Sequence, residues 1–291
     1  MNSHQSLIRE HYSREDVQRE IADFCVGRWV ATHCINEKGE LVFRRYFKGK
    51  PLAISRTGDL RELLEEMNFQ VRAIYASANK YRSVKTVEDV YTPTNVVRCT
   101  PTWDVDSTLQ NWRKTLTVAK RIIAFLESEG VRDSVYLKWS GNGCHIHIHE
   151  EAFSEKVLSK AHPLDLAYAI VEYANLHVLP EISGNLHVEG VTVENRMDAG
   201  RVFTCPLSLH RELETVCICL KPKDVDDFSP EWIKPQNFRH NPAWRSFRKG
   251  EADDLAIKAY ETVGGYPSPS RRRKPKSERL DQQIIKWLKK F

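Results

Sequence analysis

Three short stretches of this chain carry side chains whose types and spacing suit phosphate chemistry. The first is Trp103-Asp104-Val105-Asp106. In a strand, residues two apart point to one face with Cα atoms about 6.5–7 Å apart. Carboxylates held so close repel one another unless cations lie between them. Asp104 and Asp106 could share two divalent ions ~3.5–4 Å apart, the separation used for in-line phosphoryl chemistry. Hard oxygen donors suit magnesium or manganese. The bland alternative is a solvent-facing D-x-D at a strand end, so the pair needs company.

The second stretch is Ser140-Gly141-Asn142-Gly143-Cys144-His145. Gly141 and Gly143 allow backbone amides to converge on an anion, while Ser140 and His145 add donors for phosphate oxygens. Lys138 just before it adds a full positive charge. The third runs from Val188-Glu189-Gly190-Val191-Thr192 through Asn195-Arg196 to Arg201, one acid followed by two guanidinium forks suited to bidentate phosphate contact. Pro206-Leu207-Ser208-Leu209-His210 adds the hydroxyl of Ser208 and the imidazole of His210. Each stretch alone reads equally as turn or surface polarity. Acids for metal beside bases for phosphate are harder to dismiss.

The elements that must position these residues follow from hydrophobic period and turn chemistry. Ser13 with Asp16 forms a candidate capping box, after which Val17, Ile21 and Phe24 share a helical face that Gly27 ends. Residues 28–35 and 41–47 are strand formers around the turn residues Asn36-Glu37-Lys38-Gly39, which makes a hairpin. A helix opens at Asp59 with Leu60, Leu63, Leu64 and Met67 facing inward. Residues 69–76 read as a strand, and so do 96–105 despite Pro101. A long amphipathic helix carries Trp112, Leu116, Ala119, Ile122, Ile123 and Leu126 and stops at Gly130. Strands over 135–139 and 145–149 flank the glycine turn, a helix covers 163–174, and further strands cover 201–205 and 216–220. This is an α+β order with helices on one side of a mostly antiparallel sheet. Residues 264–276 read as loop and basic linker. Residues 280–291 read as a short helix that packs back on the domain or serves a partner, a replication or repair protein or nucleic acid.

With 291 residues, 41% hydrophobic and 10% aromatic, the chain can bury one large core or two closely packed ones. A charged fraction of 29% argues against global disorder. The net charge of +5 permits an anionic partner without requiring one. The seven cysteines are scattered and form no CxxC pair, which argues against a disulfide framework and against a structural zinc ribbon. No apolar run reaches the ~18–20 residues that span a bilayer, and residues 1–10 hold no hydrophobic signal core. The expectation is a reduced, soluble, intracellular (cytoplasmic) protein without a membrane partner.

In this order, the three stretches resemble the signature motifs of the archaeo-eukaryotic primase superfamily. A hydrophobic DxD is matched by Trp103 to Asp106, a serine and histidine in a glycine-rich turn by Ser140 to His145, and a hydrophobic residue before an acid by Val188-Glu189. Val191-Thr192 with the run Arg201 to His210 is similar to the VT…RLxRxPxSLH segment of archaeal primase small subunits, and Gly27-Arg28-Trp29 faintly resembles the family's REF/REW strand. The resemblance implies a primase-type catalytic core, with an N-terminal αβ unit (1–95), a palm like an RNA-recognition motif (RRM-like, 96–265), and a basic linker with a short helix (266–291). It implies a template-directed nucleotidyltransferase, a DNA primase or primase-polymerase of replication or repair. Its partners would be nucleoside triphosphates, a DNA template and a primer strand. Asp104, Asp106 and Glu189 would bind two ions, Mg2+ or Mn2+. Lys138, Ser140, Gly141, Gly143, His145, Arg196, Arg201, Ser208 and His210 would hold the nucleotide.

The departures from the family pattern leave one assignment open. The third acid is a glutamate where aspartate is commoner, and its spacing to Val191 is one residue short, so Asp198 and Glu194 are rival third ligands. Thr204 stands where a basic residue is usual, no KTG follows the SLH, the second motif is a residue shorter, and no cysteine knuckle is evident. These features favour a divergent or stand-alone member. Two other classes compete. His145, His147 and His149 alternate along one strand and could serve a transition-metal enzyme. A primase fold could also bind nucleic acid without catalysis.

Overall fold

The structure is a computed structural model that describes residues 3–185 and 188–267. The short helix expected over 280–291, and all but the start of the expected linker, lie outside the described residues.

Two helices open the chain, α1 (Ser3–Tyr12) and α2 (Glu15–Cys25). Val17, Ile21 and Phe24 of α2 are buried, as their spacing requires. Ser13 does not cap this helix: its hydroxyl donates back to the Glu10 carbonyl, and Arg14 is the N-cap without a side-chain cap bond. Gly27, at φ +72°, turns the chain into β1 (Arg28–Ile35), which pairs antiparallel with β2 (Leu41–Arg44). The Asn36 carboxamide oxygen accepts the backbone N–H groups of Lys38 and Glu40 and closes that hairpin. The strand expected to reach residue 47 ends at Arg44, and β3 (Tyr46–Phe47) pairs with β4 (Lys50–Pro51) in a small ribbon of its own.

Next come α3 (Thr57–Glu66), β5 (Val71–Tyr81), α4 (Val87–Tyr91), β6 (Val96–Cys99) and β7 (Thr102–Asp106). The strand expected over 96–105 is therefore two strands. Proline has no N–H for a ladder, and the break at Pro101 lets β6 pair with β5 while β7 enters a different sheet. The chain continues through α5 (Trp112–Ser128), β8 (Val135–Trp139), β9 (Cys144–Ile148), α6 (Glu155–Leu158) and α7 (Pro163–Asn185). It ends with β10 (Thr192–Glu194), β11 (Val202–Thr204), β12 (Ile218–Leu220) and α8 (Asp253–Val263). Helix α7 runs past the expected end at 174 and through Pro180, because Val178 and Ile182 are still buried.

The α+β class holds, with two antiparallel five-stranded sheets in place of one. The first has the order β11-β5-β1-β2 with β6 also on β5, and the second the order β10-β7-β9-β8-β12. β6 and β11 come from beyond residue 95, so the first sheet draws strands from both sides of the boundary expected there. In the second sheet the alternation is clean. Trp103, Val105, Cys144, Ile146 and Ile148 are buried and join the core with Leu116, Ala119 and Ile123 of α5. The opposite face of the same strands carries Asp104, Asp106, His145 and Lys138. Behind them, the buried Arg28 guanidinium pairs with Glu150 at 2.8 Å and binds the Thr100 hydroxyl and the Ser77 and Ala78 carbonyls. Among the described residues no helix is long and apolar enough to cross a membrane.

Candidate active site

Register builds the site. Asp104 lies opposite His145 on β9 and opposite Glu194 on β10, and His145 lies opposite Lys138 on β8. Directly opposed residues share a face, so Glu194, Asp104, His145 and Lys138 form one row across four strands. Asp106 stands two residues along from Asp104 on the same face, opposite Thr192.

One guanidinium sits among the three acids of this face. Arg196 Nε is 2.5 Å from Glu194 Oε2 and 3.5 Å from Asp104 Oδ2, and its Nη2 is 3.2 Å from Asp106 Oδ2. The two aspartates differ in environment. Burial pushes the Asp104 carboxyl upward, but the His145 hydrogen bond (Nε2 to Oδ1, 3.2 Å) and the nearby Arg196 and Arg201 outweigh it and leave the group below its usual range. Asp106 is raised instead, by burial and then by the Asp104 charge. Two acids so close cannot both ionise freely without a cation. Here that cation is Arg196.

The glycine turn abuts this face. A Cβ on Gly143 would lie 2.1 Å from the Val105 carbonyl oxygen, so only glycine lets the turn approach the DxD strand. Gly141 has φ +133°, and a Cβ there would lie 2.6 Å from the ring of His210. His210 Nδ1 accepts the backbone N–H groups of Glu212 and Leu213. That fixes the proton on Nε2, which lies over the turn. Burial holds this imidazole neutral, with its pKa lowered to about 4. Ser140 bonds its own turn, its backbone N–H donating to the Gly143 carbonyl at 3.1 Å. A shallow cavity of about 380 Å³ beside Arg196 is lined by Glu194, Asp198, Arg201, Tyr168 and Tyr266.

No family model matches the sequence, and no curated protein is similar to it in sequence. Comparison of structures does find a likeness. The polymerase domain of Mycobacterium tuberculosis Ligase D, solved in complex with DNA, superposes with a TM-score of 0.54, covering 89% of this chain and 89% of that one at 14% identity. This chain has the fold of that polymerase domain.

Within that fold, the residues singled out in the sequence part company. Asp104, Asp106, His145, Arg196, Gly141, Gly143, Ser140 and His210 come together around one face. Lys138 turns inward: its ammonium donates to the Thr204 carbonyl at 2.8 Å, lies 4.4 Å from the Phe24 ring centre, and has its pKa lowered by burial. Ser208 is also internal, its hydroxyl accepting the Ile74 N–H and donating to the Leu209 carbonyl. Arg201 is anchored on the Arg196 carbonyl at 2.7 Å and lies 3.6 Å from Asp198. Of the three candidate third acids, Glu189 is exposed in the turn before β10, where its carbonyl takes Lys114. Asp198 closes its own turn through the Gly200 N–H. Glu194 is the acid on the DxD face. The signal for it was the alternation Thr192, Glu194, which mirrors Asp106, Asp104. Tyr168, in α7, and Tyr266, just past the end of α8, carried no local signal.

The donor set fits a hard divalent ion, since three carboxylates face one cation. As the side chains stand, no group of three His, Cys, Asp or Glu converges on one point among the described residues, and Arg196 lies among the three acids. The histidine trio does not converge either. His147 bonds Thr102 through Nδ1 at 2.8 Å, and His149 accepts the Glu151 N–H and stacks on Phe247.

Proposed function

We propose that this chain is a template-directed nucleotidyltransferase that makes or extends a primer strand on DNA from nucleoside triphosphates, in replication or repair. The observation that carries the reading is the Arg196 guanidinium held among Asp104, Asp106 and Glu194, beside a glycine turn that His210 overlies. Three carboxylates against one guanidinium leave this face with excess negative charge, which a passive nucleic-acid-binding surface would not carry, and that supports catalysis over passive binding.

Two divalent ions, Mg2+ or Mn2+, would supply Lewis-acid stabilisation of the attacking and leaving oxygens. Asp104, Asp106 and Glu194 would hold them, with Glu194 in the place that motif matching gave to Glu189. His145 orients Asp104 through its Nε2 hydrogen bond. Arg196 exchanges its carboxylate partners for phosphate oxygens when the substrate arrives, as a planar fork can. The neutral His210 donates Nε2–H to the triphosphate lying along the Gly141–Gly143 amides.

The test is extension of a primed DNA template with labelled nucleotides in Mg2+ or Mn2+. Incorporation that disappears in Asp104→Ala/Asp106→Ala supports the proposal. If the double variant incorporates as well as the parent, the catalytic assignment fails. If neither incorporates but both bind single strands, the fold serves as a non-catalytic subunit.

A further inference from the structure

On the other side of the Asp198–Arg201 turn lies a cavity of about 330 Å³, within the size range of sites that take small organic molecules. Its walls include Trp29, Tyr81 and Tyr91, with Val90, Val96 and Leu164 between them. Ala199 and Gly200 form one rim, and Tyr266 lines both this cavity and the shallow one beside Arg196. The catalytic residues Asp104, Asp106 and Glu194 do not line it.

Two features give the cavity a chemistry. The Trp29 indole N–H is already donated to the Arg45 carbonyl, and the Arg45 guanidinium lies over the Trp29 ring, 4.7 Å from its centre; Trp29 and Tyr81 are buried and form the floor, and Tyr91 is the exposed ring. Asn79, on the cavity wall, donates Nδ2–H to the Ala199 carbonyl at 3.0 Å. That fixes the amide orientation and leaves Oδ1 buried without a partner among the described residues. A buried carbonyl oxygen without a donor is costly and calls for an N–H from elsewhere.

We propose that this cavity is a nucleobase pocket separate from the catalytic face, taking a base that bears an exocyclic amino group. The flat ring stacks on the exposed Tyr91, above the floor that Trp29 and Tyr81 make, the amino N–H meets Asn79 Oδ1, and Arg45 offers charge to an attached phosphate. A free nucleotide or a base of a single strand would present the same chemistry.

The test is calorimetric titration of the full chain with adenosine, in chelator so that divalent ions play no part. Purine riboside, the same ring without the amino group, should bind about five-fold more weakly for the lost hydrogen bond. Tyr91→Ala should weaken adenosine about tenfold for lost stacking. Tyr91 is 66% exposed and, among the described residues, hydrogen-bonded through its side chain only to the Tyr46 hydroxyl, so this variant folds where Asn79→Leu, the second variant, is at more risk. Asp104→Ala/Asp106→Ala should leave adenosine affinity unchanged, which separates failure here from failure of the catalytic reading. Binding of oligo(dA) that depends on Tyr91, with none of adenosine, assigns the pocket to a strand. Adenosine and oligo(dA) that bind Tyr91→Ala as well as the parent, or bind neither protein, overturn the proposal.

Discussion

Glutamine in place of Glu194 and of Glu189 separates two of the three acids that sequence left in competition. Glu194 lies opposite Asp104 across the ladder and 2.5 Å from the guanidinium held by the DxD. Losing a carboxylate that holds an ion forfeits Lewis-acid stabilisation of several kcal/mol. At about 1.4 kcal/mol per decade of rate, a loss of about 4 kcal/mol slows turnover roughly a thousandfold. Glu189 is exposed in a turn, and surface changes of that kind stay within about 0.5 kcal/mol, or roughly twofold. The assay is single-turnover primer extension at saturating triphosphate and Mn2+. A thousandfold fall for Glu194→Gln beside near-parental Glu189→Gln is expected. The reverse order would refute the register argument.

Three further outcomes follow from the packing. Gly143→Ala places a methyl 2.1 Å from the Val105 carbonyl oxygen, so β7 and β9 must part locally; Tm falls and the DxD strand loses amide protection in hydrogen exchange. Glu150→Gln strands the buried Arg28 charge, and breaking such a pair costs about 3–5 kcal/mol, read by urea unfolding. Glu20 is buried, but its hydrogen bond and charge pairing with His240, and then Arg245 and Trp244, overcome desolvation and lower its pKa to about 2. A carboxyl with a depressed folded pKa stabilises above its unfolded value and loses that contribution as it protonates. Parental stability should therefore fall between about pH 4.5 and pH 2, and Glu20→Gln should flatten that limb of the profile.

Most of the scaffold could be read locally. Period and turn residues located β1, the β1–β2 hairpin, α5 and the β8–β9 pair around the glycine turn, because each is fixed by neighbours in sequence. The motif residues Asp104, Asp106, His145 and Arg196 were likewise visible, since alternation alone decides which face they share. What escaped depends on distant chain. Lys138 resembled a phosphate ligand until β11 covered it, and only tertiary structure brings the Thr204 carbonyl and the Phe24 ring to its ammonium. Ser208 was read as a donor to substrate but is bound to β5. Helix α1 is short and mostly polar, and its Ile8 and Tyr12, four residues apart on one face, are buried by the rest of the fold. The choice among Glu189, Glu194 and Asp198 rested on spacing in a segment where turn and strand meet, and a shift of one residue there reverses which side chains face the DxD.

The most direct measurement is nucleotide incorporation on a primed single-stranded DNA by the full chain, with Mn2+ present, removed by chelator, and restored. The account predicts templated extension that follows the ion and is lost when Asp104 and Asp106 become alanine. Extension indifferent to both ion and aspartates would contradict it.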